Sequence, residues 1–342
     1  MNHTAFFENL KNGSVGECYL FEGSEEYIKQ QALKQLCGRL LPAGMEEMNL
    51  VELSDPEADA LIAAAETLPF MGEKRLVVVR ECSLLTAGRK AEDEARAQQI
   101  GDYLSHLPPT ACLVFYVKGK ADGRKKLYTL LKKKNAIVDF SPMNDAECAD
   151  WCIRAMRRMG KKLSADNAGR LVFTVGRDAA LLRQEMEKLC AYLDEREMVE
   201  AADIDAICTR STECTVFQMV DAQVAGHTET AFGLLRDMVR AGEDRVGILA
   251  MLLRQYRILY HMRCLMEERT PPASQASLLG IPPFSVGRTQ QQARRFEKKR
   301  LKNAYDFLMD YEYRLKQGRI PQECCAENAL LALEGILRGM EA

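Results

Sequence analysis

An α/β domain followed by an all-helical remainder is the fold class the sequence predicts, and three observations predict it. Through roughly the first 140 residues, short continuous apolar runs alternate with segments of helical period. Beyond Pro142 the apolar runs cease and only the helical period persists. A turn with one glycine, Phe21-Glu22-Gly23-Ser24-Glu25, joins the first strand candidate to the first long helix candidate. In α/β domains that is where a phosphate-binding loop sits.

Strand candidates are Cys18–Phe21, Asn49–Leu53, Arg75–Arg80, Ala111–Val117 and Ala136–Phe140. Leu76–Val79 and Cys112–Val117 are apolar without interruption, as in strands covered on both faces. The spacing predicts a helix over Glu26–Leu41, where Ile28, Ala32, Leu36 and Leu40 recur every four residues. A second is expected over Asp55–Glu66, with Asp55 as N-cap and Pro56 in the first turn. Strands alternating with long crossovers imply a right-handed parallel sheet.

In the helical region, Asp145–Met159 should end near Gly160, and Ser164 should cap a helix reaching Gly176. Asp178–Leu193 puts Leu181, Leu182, Met186, Leu189, Cys190 and Leu193 on one stripe. Further helices are expected over Thr215–Ala225, Glu229–Ala241, Arg245–Glu268, Thr289–Gln317 and Pro321–Gly339. The proline-rich Thr270–Arg288 reads as connection with one short helix. The resulting division is an α/β domain at 1–141, a small helical domain at 142–210 and a larger helical domain at 211–342.

The 342 residues carry 47 Lys and Arg against 49 Asp and Glu, a formal charge of -2, so any nucleic-acid contact must be local. With aromatic residues at 7% and a single Trp, a base-stacking platform is poorly supplied. No apolar stretch approaches the ~20 residues of a membrane span, and Met1–Glu17 lacks the basic and apolar regions of a signal peptide. The twelve Cys sit mostly within apolar runs, and no C-x-x-C pair occurs. A reduced, cytoplasmic protein with no metal site is expected.

A working phosphate loop reads G-x-x-x-x-G-K-[ST]: glycines turn backbone N–H groups around phosphate, Lys neutralises charge, and the hydroxyl holds Mg²⁺. Here Gly23 and Lys29 fall in register, but Ile28 replaces the second glycine and Gln30 the hydroxyl. A β-branched residue resists φ > 0. Glu25 and Glu26 would also set two carboxylates beside a triphosphate. The strand at Val77-Val78-Val79 runs into Arg80-Glu81 rather than a clear magnesium-binding acid. The loop therefore reads as degenerate, with no catalytic residue and no cofactor expected.

These segments have a family likeness. YLFEGSEEYIKQQAL at 19–33, LPFMGEKRLVVVRE at 68–81, KADGRKKLYTLLKK at 120–133, VGRDAALLRQEMEKLCAY at 175–192, GILAMLLRQYRILYHMRCL at 247–265 and DYEYRLKQGRIP at 310–321 follow one another in order. By that order and spacing the chain resembles the delta subunits of bacterial DNA polymerase III clamp loaders over nearly its whole length. The resemblance implies an AAA+-like clamp-binding module, a helical lid and a C-terminal helical collar. It implies a non-catalytic component of the polymerase holoenzyme that binds and opens the β sliding clamp. It also implies a collar joined to gamma/tau and delta-prime subunits, in a loader that encircles primed DNA, away from any membrane.

In that family a hydrophobic dipeptide at a helix tip, just ahead of the strand at Leu76–Val79, touches the clamp. Pro69 and Phe70 hold those positions, flanked by Leu68 and Met71. Pro69 departs from the Leu-Phe of many relatives. Independently, four apolar residues between a polar helix end and Gly72 suit a surface corner; the alternative is that Leu68 and Phe70 turn into the core. Arg124, Lys125 and Lys126 lie in a locally cationic stretch, 118–134, that is either a solvated face or a DNA-backbone contact. A second basic run spans Arg294–Lys302. The rival reading is an active AAA+ NTPase in replication or repair, for which Gly23 and Lys29 speak. A DNA-binding accessory rests on the basic runs alone.

Overall fold

The computed structural model describes residues 1–86 and 92–339. It divides into two compact units, Met1–Pro142 and Met143–Ala342. The first begins with α1 (His3–Lys11), β1 (Cys18–Glu22), α2 (Glu26–Leu40), α3 (Glu46–Asn49), β2 (Leu50–Ser54) and α4 (Ala58–Glu66). It continues with β3 (Arg75–Arg80), α5 (Glu92–Tyr103), β4 (Ala111–Tyr116), α6 (Lys126–Lys133) and β5 (Ile137–Asp139).

All five strands are parallel, in the order β2-β3-β4-β1-β5. Leu20 of β1 pairs with Phe115 on one side and Ile137 on the other. Every residue of β1 and β4 is buried, which is why Cys18–Phe21 and the whole of β4 read as apolar runs, with the buried Glu22 closing β1. Phe6 of α1 packs edge-on against Tyr19 and Phe21, with ring centroids 5.2 Å apart in each case. Phe140 closes the cluster at 5.0 Å from Phe21.

The second unit is helical throughout its named elements. It starts with α7 (Asp145–Arg158), α8 (Ala165–Val175), α9 (Ala179–Leu193) and α10 (Ala201–Ile207). Then come α11 (Thr212–Ala225), α12 (Thr228–Arg240), α13 (Arg245–Glu267), α14 (Pro272–Leu279), α15 (Val286–Arg294), α16 (Lys298–Lys316) and α17 (Cys325–Arg338). Asn144, Ser164, Asp178, Ser211 and Asp244 each accept a backbone N–H at a helix start. The long α13 is the hub, packed by α11, α15, α16 and α17, which accounts for its broad apolar circumference. Its fully buried Tyr256 donates to Gln223 Oε1 at 2.7 Å, and Gln223 donates to the Leu330 carbonyl at 2.9 Å. Phe173 of α8 meets Phe217 and Phe284 edge-on, so the first four helices share one unit with the rest.

Four expectations need correction. Asp55 is not an N-cap: its φ is +40°, and its carboxylate accepts from the Ser83 backbone (2.9 Å) and hydroxyl (3.0 Å) and pairs with Arg96. The helix then starts two residues beyond Pro56. Thr289–Gln317 is two helices, because the chain turns at Glu297 while Phe296 folds onto the core. Pro321–Cys324 precedes α17 rather than opening it, with Cys324 as its N-cap residue. Leu181 lies 48% exposed, off the buried stripe of α9. Between Thr270 and Arg288 the structure has α14, a short turn of helix at Pro283–Ser285 and the start of α15.

Candidate protein-interaction site

Helix α4 stops at Glu66, where Thr67 caps it through Oγ1 to the Ala63 carbonyl at 2.8 Å. Proline at 69 lacks an N–H and pushes Leu68 away from helical backbone, so the chain cannot continue as helix. Leu68–Met71 therefore lie in the loop between α4 and β3, not on a helix tip.

In that loop Leu68 is 75%, Phe70 51% and Met71 76% exposed, with Pro69 half-buried. Nowhere else among the described residues do three exposed large apolar side chains fall within four positions. Met48, at the foot of α3, is exposed as well. The side chains face water while the backbone is held. Asn49, itself fully buried, accepts the Phe70 N–H at Oδ1 (2.6 Å) and donates from Nδ2 to the Phe70 carbonyl (2.9 Å) and the Met45 carbonyl (3.1 Å). Met71 adopts φ +49°, and a Cβ on Gly72 would come within 2.8 Å of the Pro42 ring. Nothing in the sequence around Asn49 signals this grip, which joins residues 21 positions apart.

The phosphate-loop position is filled by the protein itself. The Gly23 N–H donates to Gly119 O (2.7 Å), Glu25 N–H to Phe140 O (3.0 Å) and Glu26 N–H to Ser24 O (2.9 Å). Lys29 is fully buried, with Nζ 2.6 Å from Glu26 Oε1, 2.9 Å from the Val117 carbonyl and 4.9 Å from the Tyr116 ring centroid. Tyr116 in turn donates to Glu26 Oε2 at 2.7 Å. Burial pushes the Glu26 carboxyl up, but the Lys29 and Tyr116 hydrogen bonds and the Lys29 charge outweigh it, holding the group below the ordinary range. At the end of β3, Arg80 grips Glu52 bidentately (2.7 and 3.1 Å) and stacks 4.7 Å from the Tyr116 centroid. Where a magnesium-binding acid would be wanted, a paired guanidinium stands.

The basic stretch is dispersed. Arg124, 89% exposed, forks onto Asp122 with two contacts of 2.9 Å and holds that carboxyl down at about 2. Lys126 bonds Gln98, and Lys125 is the N-cap residue of α6. Lys132 and Lys133 lie at the other end of that helix, where they complement its dipole. The later run is likewise engaged: Lys298 pairs with Glu267, and Arg300 donates to the Leu337 carbonyl.

Burial pushes the Cys112, Cys152 and Cys208 thiols up to about 12 and Cys82 up to about 11, far from thiolate at neutral pH. Among the described residues, no cluster of three His, Cys, Asp or Glu is arranged to hold a metal, and no helix is long and apolar enough to cross a membrane.

A parallel five-stranded module with an occupied phosphate loop, followed by an all-helical region, is an AAA+-like chain of the clamp-loader kind. The family description "DNA polymerase III, delta subunit" matches residues 19–141, and its C-terminal domain matches residues 213–333. The chain is 28% identical to the delta subunit of Bacillus subtilis DNA polymerase III over 331 residues, 96% of this chain and 95% of that one. The solved Bacillus subtilis DNA clamp loader delta protein superposes with a TM-score of 0.57 at 26% identity, covering 97% of this chain and 99% of the other. The chain belongs to the DNA polymerase III delta subunit family. Its role lies in the clamp loader of DNA replication, in a complex with other clamp-loader subunits.

Proposed function

We propose that this protein is a non-catalytic subunit that binds and opens the β sliding clamp, using the Leu68–Met71 loop as its docking element. One observation carries the reading: three apolar side chains held out into water on a backbone that is hydrogen-bonded in place. Exposed apolar groups on a fixed frame suit a protein partner, since burying an apolar anchor contributes roughly 2–3 kcal/mol. The AAA+-like module then serves as a shape rather than an engine. Lys29 is spent on Glu26 and Val117, so its ammonium is not available to a triphosphate; this weighs against the NTPase reading.

The helices of 211–342 act as the collar that joins gamma/tau and delta-prime subunits, with 142–210 as a lid. The protein works in the cytoplasm, where Arg124, Lys125 and Lys126 would exchange their present partners, Asp122 and Gln98 among them, for the phosphates of primed DNA. The test is capture of the purified cognate β clamp by the full chain with no nucleotide present. Retention of clamp at micromolar concentration is expected. Absence of binding, or binding only with ATP, defeats the proposal.

A further inference from the structure

We propose that Asn49 is the positioning residue of the docking loop, fixing how Phe70 and its neighbours are presented; the inference rests on the reading that this loop binds the clamp. Asn49 ends α3 with its side chain wholly out of water, yet it serves no partner in its own helix turn except the Met45 carbonyl. Its other two hydrogen bonds, at 2.6 and 2.9 Å, both go to Phe70. A backbone N–H requires an acceptor and a carbonyl requires a donor, so only one amide orientation fits. The grip is thus directional as well as tight. Without it, three apolar side chains in water would gain by folding inward, and among the described residues no other hydrogen bond reaches the loop's tip. A loop already in its bound conformation spares the ordering cost on association.

The experiment measures affinity of the full-length chain for purified β clamp in wild type, Asn49→Ala, Phe70→Ala and the double variant. Phe70→Ala should bind about thirtyfold more weakly and Asn49→Ala about tenfold. The double variant should fall close to Phe70→Ala alone, because a positioning residue has little left to position. Amide exchange should quicken at Phe70 in Asn49→Ala while Val77 and Val78 of β3 keep their protection, which a general loss of stability would not do. Should Asn49→Ala fold poorly, Asn49→Asp keeps the acceptor and the size but loses both donors, and it too should bind more weakly. Wild-type affinity in the Asn49 variants beside a weak Phe70→Ala overturns the inference and leaves the docking reading standing. Losses that multiply to about three-hundredfold also overturn it. Wild-type affinity in Phe70→Ala overturns the docking reading itself.

Discussion

Lys29 and Phe70 are each placed against their type: a lysine fully buried, a phenylalanine half in water. Lys29→Ala would orphan the Val117 carbonyl and empty the space of the aliphatic stem, lowering stability by about 2–3 kcal/mol. Lys29→Met fills that space and should lose about half as much. Thermal denaturation checks both, and magnesium-ATP should leave the wild-type midpoint unmoved, since a ligand of the native state would raise it. A core phenylalanine costs about 3–5 kcal/mol when cut to alanine; Phe70→Ala should instead melt within a degree or two of wild type. Glu26 has a pH signature. Its folded pKa lies below its unfolded value, so its contribution is present above the ordinary carboxylate range and lost as pH falls through the folded value. Glu52, held down by Arg80, acts in the same sense. Melting curves from pH 7 to pH 3 should therefore be flat at first and fall at the acid end, less steeply in Glu26→Gln.

The turn from β1 to α2 looks like a nucleotide loop and is held by different forces. Gly23 sits at φ +119°, and a Cβ there would lie 2.2 Å from the Phe140 backbone. Gly23→Ala should destabilise by at least about 2–3 kcal/mol, read by denaturant titration, with no change in any nucleotide response. Elements whose cause is local could be read from sequence: Arg75–Arg80 emerges with its expected bounds, and Ser164 caps its helix as expected. Elements with a distant cause could not. Asp55 answers to Ser83 and Arg96 rather than to the helix after it. The break near Glu297 carries neither glycine nor proline and follows from where Phe296 packs. The apolar loop was legible as a run of four residues before Gly72, whereas Asn49, which holds it, was not.

The molecule divides at Pro142, and each unit has a core of its own. A fragment of residues 143–342 should therefore fold alone, giving a helical circular dichroism spectrum and a cooperative melt. It should also co-elute with the other clamp-loader subunits while failing to retain the β clamp. Co-elution lost in a well-folded fragment would contradict the collar assignment; clamp retained by it would contradict the loop. The expected order of α/β module and helical remainder came from a change of periodicity that any long chain displays when its architecture changes. The internal grouping of the helices depends on contacts such as Phe173 with Phe217, for which sequence offers no period.

The interior position of β1, between β4 and β5, governs how the chain is born. Cys18–Glu22 leaves the ribosome about ninety residues ahead of β4 and further still ahead of β5, yet these are its neighbours, and Leu20 pairs with Ile137. At a synthesis rate of ~5–20 residues per second, this apolar strand waits several seconds with both edges open. Nascent chains halted before β4 are then the species most prone to stick to one another, and a chaperone that holds unfolded chains would find its clearest target there rather than in the helical half.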